Sequence, residues 1–271
     1  MKFFYPILLF ILAASISNAS ISQTTDSIPP YETFTIQSTL VGELRTINVW
    51  TPPEYKTNLD TLPVLYMPDG GIEEDFPHIA NTLAELIRQK KIKPIILVGI
   101  ENTQRRRDLT GFTNVERDKT IAPVVGGSEK FRAFISDELF AEINKRYRTT
   151  DRKGIIGESL AGLFVTETFL LKPDMFDFYI AFDPSLWWND RQLVKSANDY
   201  LDHFPSTQKS FWFAGSGTKG MGKTAGKLAA ILKAKNSHNI RWSYSPESKE
   251  KHNTIFRATK VKALIWTLST I

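Results

Sequence analysis

The run Ile95–Ile100 (Ile-Ile-Leu-Val-Gly-Ile) is unbroken, apolar and rich in β-branched residues. That is the pattern of a strand covered on both faces, with no wet side. A chain holding such a strand must supply two covering layers, and the rest of the sequence alternates to match. Pro63–Met67, Lys153–Gly157, Phe178–Phe182, Phe211–Ala214 and Ile240–Tyr244 read as further strands. Helical spacing is predicted over Phe76–Lys90 (Ile79, Leu83, Leu86, Ile87), Glu129–Tyr147, Leu160–Leu171, Asp190–His203, Lys223–Lys235 and Thr254–Leu268. Glu32–Ser38 and Leu44–Trp50 instead alternate apolar and polar residues around a turn at Gly42, which predicts an antiparallel hairpin with one wet face. Glu101–Ser128 reads as a long polar loop. The expected class is α/β: about eight strands, mostly parallel, with helices on both faces and the hairpin at the amino-terminal side.

The 18 Phe, 8 Tyr and 6 Trp in 271 residues supply ample area for such a core and exclude intrinsic disorder. The absence of Cys removes disulfides, thiolate metal sites and thiol nucleophiles together. A formal charge of +5 is mild and spread along the chain, so no nucleic-acid partner is expected. Residues 1–19 read as a secretory signal: Lys2, then the apolar stretch Phe3 to Ala14, then small residues at Ser17 and Ala19. The stretch is shorter than the roughly 20 apolar residues a spanning helix needs. An uncleaved anchor is the alternative. The expected organisation is a signal peptide over 1–19, a polar segment over 20–30 and one domain over 31–271, with the mature chain secreted or periplasmic and not inserted in a membrane.

Between the strand Lys153–Ile156 and the helix Leu160–Leu171 stands Gly157-Glu158-Ser159-Leu160-Ala161-Gly162. A serine on so sharp a strand-to-helix turn has a crowded backbone, so the positions two before and two after it must be small; its hydroxyl then stands clear of the sheet edge. The Leu160 N–H, opening the helix, points to where an oxyanion would develop. The plain alternative is a serine capping an ordinary turn. A serine hydroxyl needs a base. Of the histidines, His252 lies after the last strand and before the last helix, on the carboxyl edge of the sheet where ligands bind. His203 ends a helix, His238 precedes a strand, and His78 reads as a surface residue.

An acid that orients the base is expected after the strand Phe211–Ala214, but Gly215-Ser216-Gly217-Thr218-Lys219-Gly220 holds no carboxylate. Asp183, at the end of the preceding strand, is the first candidate, because strand ends are better positioned than loops; Glu247, Glu250 or no acid at all remain open. The turn Asp69-Gly70-Gly71 offers Gly70 and Gly71 as a second oxyanion donor, or is simply a turn.

At these residues the chain resembles the putative-esterase family of α/β-hydrolases, a group that includes siderophore esterases, feruloyl and acetyl-xylan esterases, S-formylglutathione hydrolases and mycolyltransferases. The resemblance runs from about Tyr31 to the carboxyl terminus. Its landmarks are Val64–Gly70, the stretch Asn102–Thr110 (similar to the family's Asn-Thr-x-Arg-x-Arg-Asp-Leu-Thr), Gly126–Phe131, the elbow at Ser159, and Asp183-Pro184-Ser185-Leu186-Trp187-Trp188. It implies an α/β-hydrolase fold, Ser159 as nucleophile, His252 as base, and Gly70 and Leu160 N–H groups as oxyanion hole. Two departures stand out: the usual acid position is empty, and Asp183 stands where the siderophore-type branch often has Ser.

The expected activity is a serine carboxylic-ester hydrolase using a Ser–His dyad or triad on a siderophore-type or polysaccharide acyl ester, with no metal or organic cofactor. Acyl transfer, or ligand binding on a degenerate scaffold, are the alternatives. Arg105, Arg106 and Arg107 either clamp an anionic substrate, with Arg107 as the candidate, or form structural ion pairs. Trp187 and Trp188 either floor a substrate pocket or cover the core, with Trp187 and Gly71 as candidate substrate contacts. The oligomeric state is open.

Overall fold

The computed structural model describes Met1, Ser27 and residues 29–269. Apart from Met1, the signal expected over 1–19 therefore lies outside the described residues, as does most of the polar segment 20–30. The strands are β1 (Glu32–Gln37), β2 (Leu44–Trp50), β3 (Leu62–Pro68), β4 (Ile96–Ile100), β5 (Thr149–Glu158), β6 (Phe178–Phe182), β7 (Lys209–Ser216) and β8 (Ile240–Glu247). Among the described residues they form one eight-stranded sheet in the order β1-β2-β4-β3-β5-β6-β7-β8. β1 runs antiparallel to β2 and β2 antiparallel to β4. From β4 through β8 all pairs are parallel. The α/β-hydrolase architecture expected from the sequence is present.

The helices are α1 (Phe76–Arg88), α2 (Arg105–Asp108), α3 (Glu116–Ile121), α4 (Ser128–Ala133), α5 (Phe140–Arg146), α6 (Leu160–Leu171), α7 (Trp188–Lys195), α8 (Ala197–Asp202), α9 (Met221–Lys235) and α10 (Ile255–Leu268). Strand residues alternate between two cores. Ile155, Tyr179, Phe211 and Phe213 pack with Phe131, Phe164, Leu201 and Leu228 from α4, α6, α8 and α9. Ile156, Ile180, Trp212 and Ala214 pack with Leu83 of α1 and with Ile255, Phe256 and Leu264 of α10. That is why the central strands carry no polar face. Among the described residues no helix is long and apolar enough to cross a membrane.

Four expectations need correction. The segment Glu101–Ser128 is not featureless, since α2 and α3 lie within it. The helix expected over Glu129–Tyr147 is α4 and α5 joined by a π-helical stretch, Phe134–Leu139, whose wider turn buries Phe134, Ile135 and Leu139. The helix expected over Asp190–His203 is two helices, and Asn189, Asp190 and Arg191 have left-handed backbone. His78 is buried at 1% exposure, not on the surface. The first turn of α1 packs against α10, where His78 sits 4.7 Å from the Phe256 ring centre and 3.0 Å from Asp75 Oδ1. Burial outweighs Asp75 there and lowers the imidazole pKa.

The carboxyl ends of β3 and β4 touch through backbone. The Gly70 N–H donates to the Ile100 carbonyl at 3.0 Å. A Cβ on Gly99 would lie 2.4 Å from the Gly70 carbonyl oxygen and 2.6 Å from the Phe76 ring. Gly99→Ala is therefore expected to destabilise the fold by about 1–3 kcal/mol, the range for an overpacked core site, read from the urea midpoint at unchanged slope.

Candidate active site

Each parallel strand ends on the same edge of the sheet, and the candidate residues come from those ends. Ser159 follows β5 with φ 60° and ψ −116°, a backbone that costs energy in any L-residue and persists only where its surroundings enforce it. Three main-chain bonds do so: Ser159 N–H to the Phe182 carbonyl at 3.0 Å, and Leu163 and Ser185 N–H to the Ser159 carbonyl at 2.9 and 3.0 Å. The need for small neighbours is visible in atoms. A Cβ on Gly157 would stand 2.7 Å from the Ala161 Cβ, and one on Gly162 would stand 3.0 Å from the Phe182 carbonyl. Leu160 is the first residue of α6, so its N–H has no carbonyl four residues back in the helix to donate to.

His252 sits in the loop between β8 and α10. Its Nε2 is 2.9 Å from Ser159 Oγ, and its Nδ1 is 2.7 Å from Asp183 Oδ2. Asp183 is fully buried, and its other bonds come from Ser216: the N–H to Oδ1 at 2.8 Å and the hydroxyl to Oδ2 at 2.7 Å. The apparently empty loop after β7 is thus filled from next door. β6 and β7 pair in parallel with Phe182 opposite Ala214, so Asp183 emerges beside Gly215 and Ser216. Glu247 and Glu250 are engaged elsewhere, Glu247 by Ser245 at 2.6 Å and Glu250 by Thr254 at 2.7 Å. The loop carrying His252 is docked on the β7 loop by backbone. Gly217 N–H donates to the Glu250 carbonyl at 2.9 Å, His252 N–H donates to Thr218 Oγ1 at 2.9 Å, and a Cβ on Gly217 would lie 2.2 Å from the Ser248 carbonyl oxygen.

Two candidates are displaced. Gly70 cannot serve as an oxyanion donor, because its N–H is held by Ile100 in the extension of the β3–β4 ladder. The Gly71 N–H donates to Glu74 Oε2 at 2.7 Å, and burial raises the pKa of that carboxyl. Arg107 does not face the cleft: it binds Glu43, with one bond at 3.0 Å, and Asp108 at 2.7 Å. The Arg107 guanidinium in turn holds the Glu43 carboxyl down at about 2. Of the three consecutive arginines, Arg105 and Arg106 line the cleft, and Arg105 is gripped by both oxygens of Asp69 at 2.7 Å. The two tryptophans divide the expected roles, with Trp187 lining the cleft and Trp188 buried, its indole N–H on the Gly111 carbonyl at 3.1 Å.

The cleft measures about 1040 Å³, with Ser159, His252, Leu160, Ser185 and Trp187 in its lining. Sequence reading missed Ser185, 3.5 Å from Ser159 Oγ, and Ser216. It also missed Glu158, whose carboxyl is pushed up to about 7 by burial and by the neighbouring charge of Asp75. Among the described residues no three His, Asp or Glu side chains gather to hold a metal ion.

The sheet order and the strand-end loops are those of the α/β-hydrolase fold. The chain belongs to the family described as "Putative esterase", which matches residues 38–260. It is 33% identical over 167 residues to the ferri-bacillibactin esterase BesA of Bacillus subtilis, an alignment covering 54% of each chain. It is 34% identical over 79 residues to a siderophore enterobactin esterase of Emericella nidulans, covering 28% of this chain and 26% of that one. These alignments span about half or less of the relatives' length. Among solved structures, an IroE-like serine hydrolase from Shewanella oneidensis superposes with a TM-score of 0.80 at 24% identity, covering 88% of this chain and 79% of that one.

The hydrogen bond to Asp183 favours the protonated imidazole and, against the opposing effect of burial, raises the His252 pKa above its ordinary 6.5. NMR titration of His252 is expected to give a midpoint above 6.5 in the native chain and a lower one in Asp183→Asn, where the anionic acceptor is gone.

Proposed function

We propose that this protein is an exported serine carboxylic-ester hydrolase working through an acyl-enzyme on siderophore-type esters. The observation that carries the reading is the unbroken chain of hydrogen bonds from Asp183 through His252 to Ser159 on the wall of an open cleft. Ser159 Oγ attacks the ester carbonyl while His252 Nε2 takes its proton. Asp183 keeps the Nδ1–H tautomer and offsets the charge of the imidazolium. The Leu160 N–H stabilises the oxyanion, a contribution of about 3 kcal/mol for one such donor. The Gly71 N–H becomes a second donor only when substrate displaces the Glu74 carboxylate. His252 then protonates the departing alkoxide, and water, deprotonated by the same imidazole, releases the acid and restores Ser159.

The substrate class rests on the siderophore esterases among the relatives and on a cleft large enough for a molecule of that size. Export to the periplasm or the exterior rests on the signal-like pattern of residues 1–19.

Ser159→Ala is expected to abolish turnover of a short-chain 4-nitrophenyl ester and labelling by a fluorophosphonate; a variant that keeps most of its activity removes Ser159 from the mechanism. Asp183→Asn is expected to lower kcat by roughly 10³–10⁴-fold. Because only neutral His252 accepts the proton, kcat/KM is expected to rise with pH through the raised imidazole pKa and to be lost below it. An acid limb centred at or below 6.5 contradicts the assignment of His252 as base.

A further inference from the structure

A run of left-handed backbone beside the cleft has no part in the proton transfers. Asn189, Asp190 and Arg191 have φ of 46°, 48° and 65°, one after another, where L-residues are sterically disfavoured. The chain is held there by the excursion that follows β4. Asp118, on α3 and 3% exposed, accepts the Asn189 N–H at 2.7 Å and the Thr113 hydroxyl at 2.8 Å through the same oxygen. Asn189 Oδ1 in return accepts the Asn114 N–H at 3.2 Å. Together with the bond from Trp188 to Gly111, these contacts tie two loops 70 or more residues apart in sequence into one cleft wall. The wall carries charge. Arg106, Arg117, Arg191 and Lys219 all line the cleft, whereas of its acids Asp118 is spent on the turn and Asp190 is paired with Arg191 at 2.8 Å and Lys195 at 2.6 Å.

We infer that Asp118 is a positioning residue for specificity: by holding the left-handed turn it keeps Arg191 in the same cleft as Arg106 and Arg117, so that the site selects esters bearing several negative charges. The inference deepens the ester-hydrolase reading and rests on it for the word ester; the anion preference stands on the wall alone. Released from Asp118, residues 189–191 relax toward right-handed helix continuous with α7, and the Arg191 side chain leaves its place in the wall.

The sign of one effect separates this role from simple electrostatics. If Asp118 acted only through its charge, removing it would strengthen binding of an anion. If it acts by holding the turn, removing it weakens that binding. The probe is benzene-1,3,5-tricarboxylate, with the neutral triamide as control, measured by calorimetry on the full chain carrying Ser159→Ala so that turnover plays no part. The trianion is expected to bind and the triamide not to. Asp118→Ala and Arg191→Gln are each expected to weaken the trianion about tenfold, the scale of one charge-assisted contact. Asp118→Asn, which keeps an oxygen for the Asn189 N–H, is expected to lose less. In the active protein, Asp118→Ala is expected to raise KM for 4-nitrophenyl succinate well beyond its effect on KM for 4-nitrophenyl acetate. Tighter trianion binding in Asp118→Ala, an Arg191→Gln variant that binds like its parent, or a parent that binds trianion and triamide alike overturns the inference. Arg191 is half-exposed, so if Asp118→Ala does not fold, Arg191→Gln still tests the wall and Asp118→Asn still tests the turn: an Asp118→Asn variant that binds the trianion more tightly than its parent overturns the positioning role. A parent that binds the trianion while the native chain hydrolyses neither nitrophenyl ester overturns the hydrolase reading and leaves the anion-selective wall standing.

Discussion

A carboxylate with no exposure to water is the constraint around which the candidate site is organised. Asp183 is sealed at the end of β6, and an ionised group there is tolerable only if donors surround it. Two come from Ser216 at the end of β7, and one from the imidazole in the loop after β8. Three successive strand ends are thereby brought to one point, and the imidazole's other nitrogen is left aimed at Ser159. Remove the carboxylate and the two serine donors lose their acceptor while the ring loses the contact that sets its orientation. The elbow supplies the matching constraint from the other side. Its strained serine is fixed by main-chain bonds to the β6 end and its loop, so Ser159 and Asp183 are referred to the same piece of backbone.

What could be read in advance follows from how local each signal is. Strands covered on both faces declare themselves in runs such as Ile96–Ile100, and the elbow declares itself because its crowding acts within five residues. His252 was legible from chain order. Asp183 was reachable as a strand-end carboxylate, but its surroundings follow from the β6–β7 register, which brings Ser216 alongside. The same non-locality defeated two readings. The Gly70 amide is claimed by Ile100 through the β3–β4 ladder, and Arg107 is claimed by Glu43 from the hairpin. Neither partner is visible from the residue's own neighbourhood. His78 was misjudged because an imidazole reads as a surface group until α10 and Phe256 are laid across its helix turn. The left-handed turn left one faint trace, an Asn-Asp pair, the residue types that tolerate that backbone best.

The cleft joins two kinds of structure with different tolerances. Its floor is strand ends and the first turn of α6, packed on both cores and unable to shift without cost to the sheet. Its wall is the excursion after β4 and the broken helix after β6, joined to each other chiefly by polar contacts. Relatives in one family can share the first and differ in the second, which is how a single chemistry comes to serve different esters.

The order in which the site's parts leave the ribosome has a consequence of its own. Ser159 and Asp183 are made well before His252, and the loop bearing the imidazole is pinned in place only when Gly217 meets Glu250 and α10 closes over the second core. A growing chain that holds Ser159 but not yet His252 therefore lacks the imidazole that stands 2.9 Å from that hydroxyl. On the proposed mechanism, copies in which α10 and the loop before it have not docked are chemically silent.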